Sequence, residues 1–253
     1  MPESLSPADV AKRNAAARAL NFVEDGMKLG LGTGSTAAWF VRLLSERITS
    51  EGLDITAVAT SSTTVFLAED LGVPLRSLDR VGRLDLTVDG ADEFDIGLNL
   101  IKGGGAALLQ EKIVASSSDR LVIITDPAKR VKDLGAFPLP VEVVQFGSSL
   151  TQAAIDEILR DADVDGTDIT LRLNKEKPLV TDEGHYILDL HLGRIGNPAK
   201  LAHDLNTLPG VVESGLFIDL ADAVVVGHEN GETELILRDT ALDAVEMMHN
   251  EDA

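Results

Sequence analysis

Met27-Lys28-Leu29-Gly30-Leu31-Gly32-Thr33-Gly34-Ser35-Thr36 is the stretch from which the fold is read. Its apolar start runs into glycines, which predicts a short buried strand over 27–32 that ends in a turn. Ser35-Thr36 then opens a helix to about residue 50. The alternation continues on both sides. Upstream, Ser6-Pro7 supplies an N-cap and a proline at the first helical position, the alanine-rich segment to Val23 is helical, and Asp25-Gly26 ends it. Downstream, strands are expected at 54–59, 84–88 and 120–125, with helices at 63–71 and from about 106 to 117. Strands alternating with helices imply an α/β fold, a mostly parallel sheet covered on both faces, and ligands in such sheets bind at the carboxyl ends of the strands.

Phe137-Pro138-Leu139-Pro140 reads as a boundary, because the order changes beyond it. A strand at 141–145, a helix at 150–160, strands at 169–173 and 186–191, a helix at 198–206 and a strand at 211–217 give βαββαβ, the ferredoxin-like α+β pattern. Strands at 223–226 and 234–237 are read as returning to the first domain. The division is therefore 1–140 plus 218–253 for the parallel-sheet domain and 141–217 for the second. The acidic end, 239–253, is expected to fray or form a short helix.

Composition narrows the function classes. The chain has 253 residues, 44% of them hydrophobic, enough for a sizeable core. No apolar run approaches the ~20 residues of a membrane span, and residues 1–10 are acidic and polar, so no signal peptide is expected. With no cysteine, disulfides, thiolate metal sites and cysteine nucleophiles are excluded, and a cytoplasmic setting fits. Acidic residues number 42 against 22 basic ones, a net charge of −20. Such a surface repels nucleic acid and anionic membranes, so neither is expected as a partner. An acidic partner-binding face and a surface adapted to high salt both account for it. The dispersal of the acids along the whole chain favours the second.

Three strand ends carry chemistry-bearing clusters. Gly30 to Thr36 offers glycines, hydroxyls and a helix N-terminus, suited either to cradling a phosphate or simply to a tight turn and cap. Ser35 stands where a dinucleotide fingerprint wants glycine, and no lysine follows as in a P-loop. Asp89-Gly90-Ala91-Asp92-Glu93 groups three acids where a buried strand ends, either as exposed turn acids or as site residues. Carboxylates suit Mg²⁺, but none of the five histidines completes a transition-metal site. Lys102-Gly103-Gly104-Gly105 sets a scarce lysine before three glycines, costly unless the backbone must approach something closely. Glu111 follows about two turns into the next helix, and with Lys112 it also fits plain solvated surface. His185, His191, Trp39 and Phe40 are read as packing residues, and Arg194 and Lys200 as surface.

Taken together, GLGTGSTAAWF (30–40), VDGADE (88–93), IKGGGAALLQEKI (101–113), FPLPVEV (137–143) and PGVVESGLF (209–217) resemble the A-type ribose-5-phosphate isomerase family, in the family's order and over most of the chain, roughly 11–237. The resemblance implies a Rossmann-like main domain with a ferredoxin-like lid and oligomerisation domain, assembled as a homodimer or homotetramer. It implies interconversion of ribose 5-phosphate and ribulose 5-phosphate, with no metal and no cofactor. Glu111 resembles the base that moves a proton between C2 and C1. Lys102 resembles the group that stabilises the enediolate, and Asp89 the acid for ring opening and hydroxyl protons. The resemblance also implies that Asp92 binds sugar hydroxyls or shares that shuttle, and that Thr33, Gly34, Ser35, Thr36, Gly90, Ala91, Gly103, Gly104 and Gly105 line the sugar phosphate, with Lys12 as a further basic contact. The family usually carries lysine just before FPLP, and here that residue is Ala136. The competing readings are a sugar-phosphate sensor without catalysis, a nicotinamide dehydrogenase and a CoA transferase. A sensor calls for a helix-turn-helix and a basic face, neither of which this chain shows.

Overall fold

The computed structural model describes residues 5–238. The expectation for 239–253 lies outside the described residues. The chain divides into two compact units. Of the described residues, the first holds 5–91, Gln110–Arg130 and 220–238, and the second holds Asp92–Leu109 and Val131–Asp219.

The first unit is built on a six-stranded sheet, in the order Thr233–Leu237, Ala223–Gly227, Leu121–Thr125, Leu86–Asp89, Lys28–Leu31, Thr56–Ala59. Every neighbouring pair is parallel except the edge strand Thr233–Leu237, which is antiparallel. Leu86–Asp89, Leu121–Thr125 and Ala223–Gly227 are buried at every residue, as central strands covered on both faces must be. Helix Pro7–Ala19 starts at the predicted cap: the Ser6 side chain accepts from the Asp9 amide and Pro7 follows it. Its buried face is all alanine (Ala11, Ala15, Ala16, Ala19), which lets it lie close against the sheet. It ends sooner than predicted, the chain tightening into a 3₁₀ turn at Leu20–Phe22. Leu29, Leu31, Phe40, Leu44, Val88 and Ile124 belong to one core cluster, and Trp39 is partly buried against it.

The second unit contains a four-stranded antiparallel sheet in the order Val211–Ser214, Leu139–Val143, Tyr186–His191, Asp168–Leu171. Helices Ser148–Asp161 and Pro198–Asn206 complete the βαββαβ order. Three expectations need correction. The segment 211–217 is not one strand: it breaks at Gly215, and Leu216–Phe217 joins a separate three-stranded sheet with Leu100–Ile101 and Glu93–Phe94. The strand expected at 141 begins at Leu139, because Pro140, although it lacks an N–H, still offers its carbonyl to the Gly215 amide. The helix expected from Ala106 begins at Leu108, since Ala106 has φ +60 and closes a turn by donating its amide to the Gly103 carbonyl. Glu111 therefore lies in the first helical turn, not two turns in.

Candidate active site

In the first unit the candidate residues gather at the carboxyl ends of three adjacent strands. Asp89 ends its strand and is 1% exposed. Its Oδ1 accepts from the Thr33 amide at 3.0 Å and the Gly90 amide at 2.7 Å. Gly32 makes this possible, because a Cβ there would lie 2.0 Å from Asp89 Oδ1 and 2.5 Å from Asp89 Cα. Thr33 Oγ1 meets the hydroxyls of Thr60 at 2.7 Å, Ser61 at 2.8 Å and Thr64 at 3.2 Å. Thr64 in turn donates to the Gly32 carbonyl, and Thr60 to the Leu31 carbonyl. The loop is thus stiffened from the next strand's end while Gly34 and Ser35 stay exposed. Lys12 reaches it from the first helix, its Nζ 3.0 Å from Ser35 Oγ. Thr36 opens the helix Ser35–Glu51 beside Ser35. Glu111 is 4% exposed, at the helix end whose partial positive charge favours an anion.

In the second unit Lys102 and the glycines form a buried-to-exposed step: Lys102 and Gly103 are buried, Gly104 and Gly105 exposed. The Lys102 amide donates to the Gly215 carbonyl at 2.9 Å, and its ammonium stands 5.4 Å from the Phe217 ring centroid. Gly103 takes φ +105, a conformation that glycine adopts without strain. Asp92 Oδ2 accepts from the Gly104 amide at 2.7 Å, and a Cβ on Gly104 would stand 2.6 Å from Asp92 Oδ1.

Glu93, the third acid of its cluster, has a different task. It is 4% exposed, and its two oxygens accept from the Gly135 and Phe137 amides at 2.7 and 2.5 Å. It therefore anchors the loop that carries the exposed Ala136. Nearby, burial pushes the Asp95 carboxyl up, partly offset by hydrogen bonds from Asn99 and Gly97, with Asp133 adding repulsion. His185 Nδ1 and Thr181 Oγ1 both meet Glu142 Oε1, and His191 meets Thr170, so both histidines have hydrogen-bonding roles within the sheet. Arg194 pairs with Asp163 and Asp165, which lowers the Asp163 carboxyl. Among the described residues no group of three or more ligating side chains is placed to hold a metal ion.

Sequence reasoning gave no role to Thr60, Ser61 and Thr64, whose visible trace was a run of hydroxyls after a strand. Within each unit the predicted residues come together as Asp89 with Thr33 and Gly90, Lys12 with Ser35, and Asp92 with Gly104.

A parallel sheet whose strand ends carry a buried acid, a hydroxyl cluster and a glycine loop defines an α/β enzyme of small polar substrates. Residues 56–231 match the family profile of Ribose 5-phosphate isomerase A (phosphoriboisomerase A). The chain belongs to the ribose-5-phosphate isomerase A family. It is 62% identical over 231 residues to ribose-5-phosphate isomerase A of Cereibacter sphaeroides, covering 91% of this chain and 92% of that one. The Dinoroseobacter shibae protein of the same name is 59% identical over 235 residues, 93% and 90% of the two chains. Among solved structures, a D-ribose-5-phosphate isomerase in complex with phospho-erythronic acid superposes with a TM-score of 0.84 at 40% identity, over 92% of this chain and 100% of that one. The Plasmodium falciparum ribose 5-phosphate isomerase gives 0.85 at 32% identity, over 90% and 98%.

Proposed function

We propose that this protein interconverts D-ribose 5-phosphate and D-ribulose 5-phosphate by moving one proton between C2 and C1 of the open-chain sugar. Asp89 assists ring opening and handles the hydroxyl protons, with Asp92 holding sugar hydroxyls. The Glu111 carboxylate takes the C2 proton, and the electron pair moves toward the C1 carbonyl to give a cis-enediolate. Lys102 and loop amides stabilise the negative charge on oxygen. The O2 proton is lost as the C2 carbonyl forms, O1 gains a proton, and Glu111 returns its proton to C1. Thr33 to Thr36, Gly90, Ala91 and Gly103 to Gly105 supply donors around the sugar and its phosphate, with Lys12 as a cation.

The observation that supports this most is which charges are buried. Among the described residues five charged side chains are buried: Asp89, Glu93, Lys102, Glu111 and Glu142. Burying a charge is costly unless something compensates it. Glu93 is engaged with two backbone amides and Glu142 with Thr181 and His185, roles that are structural. Asp89, Lys102 and Glu111 are buried as well, Asp89 with the Thr33 and Gly90 amides on its Oδ1, and they are the three the reaction needs.

The proposal extends to setting and assembly. The dispersed acids support a protein adapted to salt, in the cytoplasm. Segment 141–217 is proposed as the lid and oligomerisation element of a homodimer or homotetramer. The exposure of Phe146 (95%) and Leu150 (76%) there supports an apolar self-contact, to be checked by sedimentation. The decisive experiment is ribulose 5-phosphate formation with EDTA present, in molar KCl and in dilute buffer. Glu111→Gln should keep the fold and lose at least about a hundredfold in rate. Retained turnover would remove Glu111 from its role. Activity lost in dilute buffer and recovered in KCl supports salt adaptation, whereas indifference overturns it.

A further inference from the structure

Arg172 follows the edge strand Asp168–Leu171, and its side chain is 14% exposed. Nε and Nη2 fork onto the Asp189 carboxylate in the neighbouring strand, with Nε 2.8 Å from Oδ2. Nη1 donates to the Gly103 carbonyl at 2.7 Å and reaches the Gly104 carbonyl at 3.3 Å. A two-point fork fixes the plane of the guanidinium, so the remaining donor is aimed rather than free to swing.

We propose that Arg172 is a positioning residue for the reaction, acting through the Lys102–Gly105 loop. This rests on the reading of that loop as part of the substrate site. A peptide unit is planar and trans, so a carbonyl and the following N–H point to opposite sides. Holding the Gly103 carbonyl therefore directs the Gly104 amide, which lands on Asp92 Oδ2 at 2.7 Å. Holding the Gly104 carbonyl directs the Gly105 amide in the same way. Three glycines in a row have no side chains to restrain them, and their order must come from outside. Ala106 restrains the Gly103 carbonyl from within the turn, and Arg172 restrains both carbonyls from the ferredoxin-like sheet. Asp189 balances the guanidinium charge, so the effect of Arg172 is geometric and not an attraction for the phosphate.

The test compares Arg172→Gln, Arg172→Lys and Asp189→Asn with the parent protein and with Glu111→Gln, by steady-state kinetics on ribose 5-phosphate and thermal unfolding in molar KCl. Misplacing catalytic groups by about 1 Å costs up to about a hundredfold. Arg172→Gln should lose about 10- to 100-fold, mainly in kcat, at a melting temperature near the parent's. Arg172→Lys, able to reach a carbonyl but not to fork, should recover part of the rate. Asp189→Asn, which loosens the guanidinium plane, should fall between. Unchanged kcat and KM in Arg172→Gln overturn the inference, as does a loss that follows the folded fraction and is not relieved by lysine. If Glu111→Gln retains turnover, the site reading fails and this inference with it. If only the Arg172 variants behave like the parent, the site reading stands and this inference alone falls.

Discussion

Replacing Glu93 with glutamine should release the loop that carries Ala136. The carboxylate accepts one backbone amide on each oxygen, from Gly135 and from Phe137, while 4% exposed. Each is a hydrogen bond to an ionised group, worth about 1.5–3 kcal/mol. Glutamine keeps one acceptor and turns an NH₂ toward the other amide, so one bond becomes neutral and two donors face each other at the second. Relief from burying an anion offsets part of this, leaving a net loss of about 2–4 kcal/mol. At about 3 kcal/mol the local opening equilibrium shifts by roughly a hundredfold. Amide hydrogen exchange in molar KCl reads this directly: protection at Gly135 and Phe137 should fall about a hundredfold, while the central strand Leu121–Thr125, in the other unit, keeps its protection. Unchanged protection at these two amides would refute the assignment of Glu93 as their anchor.

Three further outcomes are expected. Gly32→Ala sets a Cβ 2.5 Å from the Asp89 backbone, which no side-chain rotation relieves, so it should cost about 1–3 kcal/mol in denaturant unfolding and a larger share of turnover by displacing Asp89. Ala136→Lys restores the cation usual in the family on a backbone held by Glu93. It should lower KM for ribose 5-phosphate several-fold at moderate salt and much less in molar KCl, a KM ratio indifferent to salt being the contrary result. Asp95 sits above its ordinary value of 3.8 because of burial, so the native state holds the proton more tightly than the unfolded chain does. Its unfavourable contribution is absent below the ordinary value, grows as pH rises toward the raised native value, and is constant beyond. Urea unfolding at a series of pH values should therefore show the stability of Asp95→Asn improving relative to the parent across that window, and a trend of opposite sign would exclude it.

The parallel sheet was readable because its strands are continuous apolar runs, and the ferredoxin-like order because helices and strands there keep their periods. Tyr186–His191 and Pro198–Asn206 fall where the pattern put them. Glu93–Phe94 and Leu100–Ile101 could not be read, since two residues carry no period. The break at Gly215 is set by partners distant in sequence, Pro140 and Lys102, and the delayed helix start at Leu108 by a local turn that puts Ala106 at positive φ, which an alanine does not announce. The acids, lysine and glycines of the proposed site stood out by type and spacing. Arg172 did not, because an arginine after a strand looks like any surface cation until its fork and its carbonyl contacts are seen. Glu93 was visible as an acid, but its partners lie beyond residue 134 and gave no local sign.

Gly215 donates its amide to the Pro140 carbonyl and accepts the Lys102 amide on its own carbonyl. One residue thus closes the four-stranded sheet on one side and holds the backbone of Lys102 on the other. Gly215 thus stands between two pairings, Val211–Ser214 with Leu139–Val143 and Leu216–Phe217 with Leu100–Ile101, so a disturbance of either one reaches the backbone of Lys102. Leu188 and Ile155 share a core cluster with Ile101 and Leu216, the residues next to Lys102 and Gly215, so core substitutions there bear on the placement of the proposed catalytic lysine.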